Sequence, residues 1–518
     1  MGAISGDPRT AYATFGAAGV RGADALNILL HSGLATEDHN KTLQPVLAES
    51  LPTVENGLWQ VSPDGTMDLT WKVRDGARWH DGTPLTVDDL TFTSQVLRDK
   101  DLPFPLEATA LGPMADVQAV DAHTIKLRWN RIYINADRIF GTIALALPKH
   151  LLEGPYLNNK GAFTELPYWS ASYIGTGPFK VKEWELGSYV TMEAFDGYAL
   201  GRPKIDQIEL RYIVDATVLV SRVLAGDVDV TLGRNFSPDQ GILVRRQWQD
   251  GRVDTGLLNS ALNMWAQFAN PTPAIVGDAR FRRALFKALD RQTMADTLEG
   301  GLVPITQSWL LPNIPEYAEL EHYIVKYDFD QRAAMQEIEA LGYTRGTDGM
   351  FRDGTGQPLS VELRSIAIPD INERTQLVSR DDWQRAGVTV QSYIVPALDT
   401  DPSNTRNFPG FLILRIPADV ISLNASGSSG ATAMHGQRNP RGGYSDPGLD
   451  SLIERFESTI GRRDRLEIAG QIVHQMTDQL NIMTLFYDPG IGFVRNRLVN
   501  VPSLGEGVPW NAYEWDVR

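Results

Sequence analysis

The sequence predicts a mixed α/β fold made of more than one structural unit. Amphipathic helical patterns alternate with short apolar, strand-like runs along most of the chain, which is typical of α/β lobes. The composition, 42% hydrophobic and 22% charged, is that of a globular protein. At 518 residues the chain is long enough for roughly three units of about 150 residues each.

The first clear elements are a β-hairpin and a capped helix. Residues Leu58–Val61 and Met67–Val73 alternate polar and apolar side chains on either side of a Pro-Asp-Gly turn at 63–65, and this pattern predicts two paired strands. Further on, the hydroxyl of Thr86 can cap a helix whose first turn holds Asp89.

The later part of the chain predicts further helices and strands. A single apolar stripe predicts a helix over about 279–290, with Arg282, Arg283 and Lys287 on its wet face. A second helix over about 330–341 ends at Gly342, which can take the left-handed conformation. Other helical patterns cover about 216–225, 373–386, 449–460 and 464–479, and strand-like runs cover 388–394, 411–416 and 482–487.

Charge and composition exclude several kinds of partner. The formal net charge of −16 would repel nucleic acid and an anionic membrane surface. No window approaches the roughly 18 apolar residues of a membrane-spanning helix. With no cysteine in the chain, disulfides, thiolate metal sites and cysteine nucleophiles are excluded.

The residues also offer no catalytic or cofactor motif. We find no HExxH, GxGxxG, GxxxxGK[ST] or GxSxG pattern, so we predict no catalytic residues, no metal site and no cofactor. The acidic pairs Asp88-Asp89 and Asp381-Asp382 lie on predicted helices and are interpreted as solvated faces. His80 lies in a turn between a strand and a helix, and we expect it to have a structural role.

Five ordered blocks resemble the family 5 extracellular solute-binding proteins, which include the oligopeptide, dipeptide and nickel binding proteins. The longest reads LTWKVRDGARWHDGTPLTVDDLTFTSQVL, where a strand, a Trp-His-Asp-Gly turn and a capped helix follow one another. The blocks are Leu69–Leu97, Gly175–Trp184, Val223–Val230, Asp278–Asp290 and Tyr327–Tyr343.

The resemblance implies a two-lobed periplasmic-binding-protein fold (type II, cluster C) with an extra subdomain inserted in lobe I. The lobes would be joined by two crossings of the chain and would bend at this hinge around a ligand. The expected bounds are 1–45, 172–265 and 480–518 for lobe I, 46–171 for the inserted subdomain and 266–479 for lobe II.

The resemblance also implies a location outside the cytoplasmic membrane, in the periplasm or attached to the membrane from the outside. The start of the chain, Met1–Thr10, lacks the basic and apolar regions of a secretory signal, and we therefore interpret the chain as a mature or trimmed form. The implied partners are a small-molecule ligand and a membrane ABC permease, and the protein is expected to be a monomer.

The stretch Phe411–Asp419, with the sequence FLILRIPAD, supplies two candidate ligand residues. In peptide-binding members of the family the matching stretch tends to read Trp-x-x-Asp-Tyr, and its acidic residue pairs with the peptide's amine. Asp419 can take that place, although the Trp and Tyr are missing. Arg415 can grip a carboxylate or phosphate with two parallel hydrogen bonds, or it can form an internal salt bridge, and both interpretations stay open.

Four further residues are candidates for the ligand site. Trp265 and Trp309 can stack on a ligand or belong to the core. His31 follows the apolar run Ile28–Leu30, whose position is similar to the first strand end of the family and which would face the cleft. Tyr487 ends the run 482–487, and its hydroxyl can reach the cleft or pack inside the protein.

The predicted function is therefore reversible capture of a small solute, a peptide or a peptide-like or anionic organic molecule, for delivery to a permease. No enzymatic step is predicted. Two alternatives remain: an extracytoplasmic hydrolase that uses two carboxylates, and a sensory or chaperone-like binder with the same fold.

Overall fold

The computed structural model describes residues 1–12, 20–102, 114–367, 371–396, 401, 404, 406–416, 441–503 and 508–518. The chain divides into two units. Unit 1 comprises Met1–Gly256 and Gly490–Arg518, and unit 2 comprises Leu257–Pro489. The chain therefore passes from one unit to the other twice. The finer lobe bounds given above stay a prediction.

The strands are β1 (Gly2–Ile4), β2 (Ala35–Glu37), β3 (Leu43–Pro45), β4 (Trp59–Val61), β5 (Met67–Lys72), β6 (Met114–Ala119), β7 (Thr124–Trp129), β8 (Phe179–Glu185), β9 (Tyr189–Ala194), β10 (Gln207–Tyr212), β11 (Val230–Thr231), β12 (Gly251–Ala266), β13 (Thr344–Arg345), β14 (Phe351–Arg352), β15 (Ser360–Ile366), β16 (Thr389–Val395), β17 (Phe411–Ile416), β18 (Ile482–Arg495), β19 (Leu498–Val499) and β20 (Asp516–Val517). The helices are α1 (Ala23–Leu30), α2 (Val87–Leu97), α3 (Lys149–Asn158), α4 (Ala216–Leu224), α5 (Pro238–Gln247), α6 (Ala279–Lys287), α7 (Arg291–Leu298), α8 (Tyr317–Leu320), α9 (Gln331–Ala340), α10 (Ile371–Arg385), α11 (Pro447–Glu457) and α12 (Arg462–Gln479).

In unit 1 the main sheet runs β18, β11, β1, β10, β9, β8. Strand β1 is parallel to both of its neighbours: Gly2 faces Leu210 of β10 on one side and Val230 of β11 on the other. The residues of β1 are buried, as expected for a central parallel strand.

A second sheet of unit 1 has the antiparallel order β4, β5, β7, β6. The predicted hairpin at 58–73 is confirmed, with Trp59 paired to Leu69, and alternate residues of β5 are buried. Helix α2 follows, and Thr86 and Asp89 form the two halves of a capping box. These elements fall within the stretch 46–171.

In unit 2 the sheet runs β16, β15, β17, β12, β18. Its core joins the apolar faces of β15 and β17 to α6, α9 and α10. The indole of Trp383 on α10 is fully buried, packs on Phe411 and donates to the carbonyl of Leu285. The predicted end of α9 is confirmed, because Gly342 has a φ of 95°.

Two details of the sequence-based predictions are wrong. The helix predicted over 279–290 ends at Lys287. Arg282 does not lie on a wet face: it is 2% exposed, and its guanidinium donates to the carbonyls of Val276, Gln479 and Leu480. The strand predicted at 482–487 is confirmed and forms the first part of the longer strand β18.

The acidic pairs are also only half solvated. Asp89 and Asp382 are buried, whereas Asp88 and Asp381 are exposed. Asp89 accepts from the backbone N–H groups of Thr86 and Lys149, and Asp382 accepts from that of Asp290. These hydrogen bonds replace the water that burial removes.

Among the described residues, none of the helices combines the length and the apolar character that crossing a membrane requires.

The turn at Gly175–Gly177 is packed directly against the end of α1. A Cβ at Gly175 would lie 2.0 Å from the carbonyl oxygen of Leu30, and one at Gly177 would lie 2.5 Å from the backbone nitrogen of His31. Only glycine leaves room for this contact between two backbones.

We expect Gly175→Ala to lower the free energy of unfolding by about 1–3 kcal/mol, because overpacking against a backbone atom forces the turn to move. Denaturant unfolding of the variant measures this. Gly161→Ala is the matched control, since a Cβ at the exposed Gly161 meets nothing within 4 Å. Equal stability of the two variants would contradict the packing argument.

Candidate functional site

Unit 1 contains a topological switch point at β1. The chain continues from β10 through α4 into β11, and these two strands flank β1 on opposite sides. In open sheets of parallel strands, a crevice forms at the carboxyl end of the central strand where the order reverses, and ligands bind there. The candidate site of unit 1 is therefore formed by residues 5–7 after β1 and 232–235 after β11, which we call the carboxyl edge of unit 1.

Asn235 holds the two loops of this edge together. Its side-chain oxygen accepts from the backbone N–H of Ser5 at 2.8 Å, and its amide donates to the carbonyls of Leu232 and Gly233, both at 2.9 Å. Asn235 is 2% exposed. The side chain therefore fixes the shape of the edge.

Unit 2 repeats the arrangement at β15. Strand β15 is parallel to β16 on one side and to β17 on the other, so a second switch point lies at its carboxyl end. Arg415 lies near the carboxyl end of β17. Asn372, in the first turn of α10, donates to the carbonyl of Ile366 at the end of β15. These residues mark the carboxyl edge of unit 2.

Arg415 has a partner inside unit 2. Its Nε lies 2.6 Å from Oδ2 of Asp488, a carboxylate whose side chain has none of its surface exposed, while the Arg415 side chain is 20% exposed. The hydroxyl of Ser260 also donates to this carboxylate. The internal salt bridge that the sequence left open is thus present, and ligand binding by Arg415 stays a prediction.

His31 does not follow a strand, as the sequence analysis expected, but a helix. The run Ile28–Leu30 belongs to helix α1 and is no strand end, because a short apolar run does not distinguish the two. His31 is 2% exposed and stacks on Trp79 with ring centroids 5.9 Å apart. Its Nδ1 accepts from the backbone N–H of Thr176 at 3.3 Å. His31 therefore supports the turn at 175–177, and its role towards a ligand stays a prediction.

His80 holds the same turn with both of its ring nitrogens, which agrees with the structural role expected for it. Nδ1 accepts from the backbone N–H of Gly175, and Nε2 contacts the carbonyl of Gly177, both at 3.1 Å. Because the first contact needs a bare Nδ1, the neutral ring with its proton on Nε2 fits this site. Burial lowers the pKa of His80 to about 3, against the opposing hydrogen bond to Gly177.

The two tryptophans and Tyr487 lie inside unit 2. Trp265 is 6% exposed and Trp309 is 1% exposed. The Tyr487 hydroxyl donates to the carbonyl of Leu310, next to Trp309 in the chain. These side chains pack within the unit as described, and their contact with a ligand stays a prediction. Asp419 lies outside the described residues.

No group of three or more metal-ligating side chains is placed to hold an ion anywhere in the described part of the chain.

One protein-family model matches most of the chain. The sequence profile described as "Bacterial extracellular solute-binding proteins, family 5 Middle" matches residues 42–419. The chain belongs to this family. The family 5 signature quoted from the sequence, Leu69–Leu97, lies inside the matched region.

The relatives agree with this assignment. The oligopeptide-binding protein AppA of Bacillus subtilis (strain 168) is 26% identical over 378 residues, which cover 71% of this chain and 64% of the relative. The match thus spans less than two thirds of that relative's length.

Two solved structures show the fold. NikZ from Campylobacter jejuni in complex with Ni(L-His) is 20% identical, with a TM-score of 0.75 over 99% of this chain and 98% of that one. AppA from Bacillus subtilis in complex with a nonapeptide is 19% identical, with a TM-score of 0.72 over 100% and 98%. The chain therefore has the two-lobed periplasmic-binding-protein fold of family 5.

The sequence analysis did not identify Ser5 and Asn235 as candidate site residues. The signal was present, because Asn235 follows the family block Val223–Val230 by a few residues and so lies just after a buried strand. The pairing of β1 with β11 joins residues that are far apart in sequence, and sequence patterns do not predict it.

We expect Arg415→Met to lower the free energy of unfolding by about 3 kcal/mol, because removing one partner of a buried ion pair leaves the other charge buried without its cation. Denaturant unfolding measures the loss, and adding Asp488→Asn to the variant should restore part of it. Arg380→Met, which removes a partly exposed partner of Asp381, is the control and should cost under about 1 kcal/mol. An unchanged stability of Arg415→Met would contradict a stabilising role of the ion pair.

Stability should fall as the pH is lowered below about 6.5. Burial lowers the pKa of His31 to about 4 and that of His80 to about 3, from the ordinary value of 6.5. Between these values the unfolded chain binds protons that the folded chain does not, so each histidine costs up to about 1.4 kcal/mol per pH unit. Unfolding by denaturant at pH 7 and pH 5 tests this.

The matched variants for the pH experiment are His80→Gln and His123→Gln, the latter at an exposed position. The first should flatten the dependence on pH, and the second should leave it as in the unmodified protein. The burial argument would be refuted by equal slopes for His80→Gln and the unmodified protein.

Proposed function

We propose that the chain is the extracytoplasmic solute-binding component of an ABC importer, which captures a small solute reversibly and delivers it to a membrane permease. The family match over residues 42–419 carries this proposal. The two switch points support it, because each unit offers one edge at which a solute can be held by loops on a rigid sheet. A monomer located outside the cytoplasmic membrane is part of the proposal.

For the ligand we propose a peptide, a peptide-like molecule or another small organic molecule with an anionic group. The compared structures favour no narrower class, since one is a complex with a nonapeptide and the other a complex with Ni(L-His). The Arg415–Asp488 pair adds a physical condition. A ligand carboxylate that draws Arg415 away would leave Asp488 buried without its cation, which is costly.

A ligand therefore has two ways to use this region. It can bind while the Arg415–Asp488 pair stays intact and use the guanidinium nitrogens that Asp488 does not occupy. Alternatively, it can bring its own cation to Asp488, as a zwitterion does. Both fit the terminus of a peptide or an amino-acid-like molecule, with a carboxylate as the group that meets Arg415.

Binding without chemical change is the activity that we propose. A hydrolase would need two carboxylates that face a substrate together. The buried carboxylates Asp89, Asp382 and Asp488 each accept hydrogen bonds from the protein itself, which favours a structural role for them.

The experiment begins with the protein purified from its native host. We expect denaturation to release a small molecule that mass spectrometry identifies, and we expect the refolded protein to bind that molecule again in calorimetric titration. A released molecule that differs from the one supplied in the medium by hydrolysis would favour the enzyme alternative instead.

The site is tested by Asn235→Ala. This substitution frees the loop after β1 and should weaken binding of the released molecule about tenfold, the effect of losing one or two hydrogen bonds. Asn56→Ala is the control, because Asn56 also accepts backbone hydrogen bonds, from Thr53 and Leu58, but in an exposed loop. Equal affinities of the two variants would remove the carboxyl edge of unit 1 from the site.

A further inference from the structure

A cavity of about 230 Å³ lies in unit 1 at the opposite edge of the main sheet. It is lined by Gly2 at the start of β1, by Gln207 and Ile208 at the start of β10, and by Asp229 and Val230 at the start of β11. Because these three strands are parallel, their starts lie at the amino edge of the sheet. The cavity therefore lies towards the amino ends of these short strands, and its wall reaches as far as Leu232, a residue of the carboxyl edge.

The inner walls of the cavity are apolar. Leu29, Leu232 and Trp515 are each at most 1% exposed. Leu498 and Val517 face each other in the antiparallel pair of β19 and β20, and both line the cavity, Leu498 from inside and Val517, which is 51% exposed, at its margin. Apolar cavities of about 150 Å³ already admit benzene, so this one has room for a ring that carries a substituent.

The polar groups lie towards the solvent. Asp229 is 8% exposed, whereas the Arg497 side chain is 51% exposed, and Gln207 is exposed. Arg497 donates through Nε and Nη2 to the two carboxylate oxygens of Asp229, at 2.6 and 2.7 Å. The rim of the cavity thus contains an ion pair and an amide above an apolar interior.

The groups at this rim that can still form hydrogen bonds are donors. Both oxygens of Asp229 already accept from Arg497, and Oδ2 also accepts from the α-ammonium group of Met1, which lines the cavity as well. Burial by itself would raise the pKa of Asp229, but the hydrogen bonds from Arg497 and from the Met1 ammonium outweigh it, so that the pKa is lowered. The oxygen of Gln207 accepts from Lys182. No described residue accepts a hydrogen bond from Nη1 of Arg497, and the amide nitrogen of Gln207 is likewise a donor.

We propose that this cavity is a second ligand site, which takes a small molecule with an apolar body and one hydrogen-bond acceptor, in the strongest case a carboxylate. The apolar body fills the space between Leu29, Trp515 and Leu498, and the acceptor meets Arg497 at the rim. A carboxylate gains a charge-assisted hydrogen bond there. A few polar groups above an apolar pocket are the usual features of a small-molecule site. The proposal does not rest on the transport function.

Three probes of one shape test the chemistry: 4-fluorobenzoate, 4-fluorobenzamide and 4-fluorobenzylamine, followed by ¹⁹F NMR titration against the full chain. We expect affinity to decrease in this order, with the benzoate at least tenfold above the benzylamine. Arg497→Gln should reduce the affinity for the benzoate about tenfold and change that for the benzamide much less. Equal affinities for all three probes, or no binding of the benzoate up to about 10 mM, would overturn the proposal.

The position of the site is tested by filling it. Leu498→Trp and, separately, Val230→Phe place a ring in the cavity and should abolish binding of the benzoate. Val218→Trp, which adds the same indole at a position of unit 1 that is 46% exposed, should leave it unchanged. If one filling variant does not fold, the other decides. Binding that persists in a folded filling variant would place the benzoate elsewhere and refute the site.

Discussion

A charged or polar group that is buried must recover within the protein the hydrogen bonds that it loses from water, and both units are organised around this constraint. Arg282 is 2% exposed, and its guanidinium binds three backbone carbonyls, which ties the helix Ala279–Lys287 to the end of the helix Arg462–Gln479. Burial lowers the pKa of Arg282 to about 10. Asp488 is held by Arg415 and Ser260, and His80 by the backbone of the Gly175–Gly177 turn. In each case one side chain joins elements that are distant in sequence.

The buried ion pair of Arg415 and Asp488 fixes the position of the structural elements that carry it more than it adds to the free energy of unfolding. Desolvation of two charges offsets much of their attraction, and an apolar pair of similar size would stabilise the unit at least as well. The pair instead requires the carboxyl end of the strand Phe411–Ile416 to lie where the guanidinium reaches the carboxylate. Asp488 is the last residue but one before the chain leaves unit 2. The ion pair thus links a switch-point edge to one of the two segments that connect the units, with both of its members in unit 2.

Much of the fold could be predicted from the sequence, because its turns and helix ends have local sequence signals. The hairpin at 58–73, the helix that begins after Thr86 and the helix that ends at Gly342 each have their signal within a few residues. The candidate site was less readable, because its pairings join distant residues: Asp488 is 73 positions from Arg415, and Asn235 is 230 positions from Ser5. His31 was misplaced for a different reason, since three apolar residues fit a strand and a helix equally well.

The two edges of the main sheet of unit 1 differ in what holds them. At the carboxyl edge the backbone of Ser5 is held by a buried amide, Asn235. The neighbouring glycines are closely packed, because a Cβ at Gly6 would lie 2.1 Å from the carbonyl oxygen of Arg21 and one at Gly233 would lie 2.7 Å from the Cα of Gly22. At the amino edge the short antiparallel strands β19 and β20 place Leu498 opposite Val517, and both residues line the cavity. The two edges nevertheless share a residue, since Leu232 after β11 also lines the cavity. A substitution of Leu232 would therefore change the interior of the cavity and the loop that Asn235 holds.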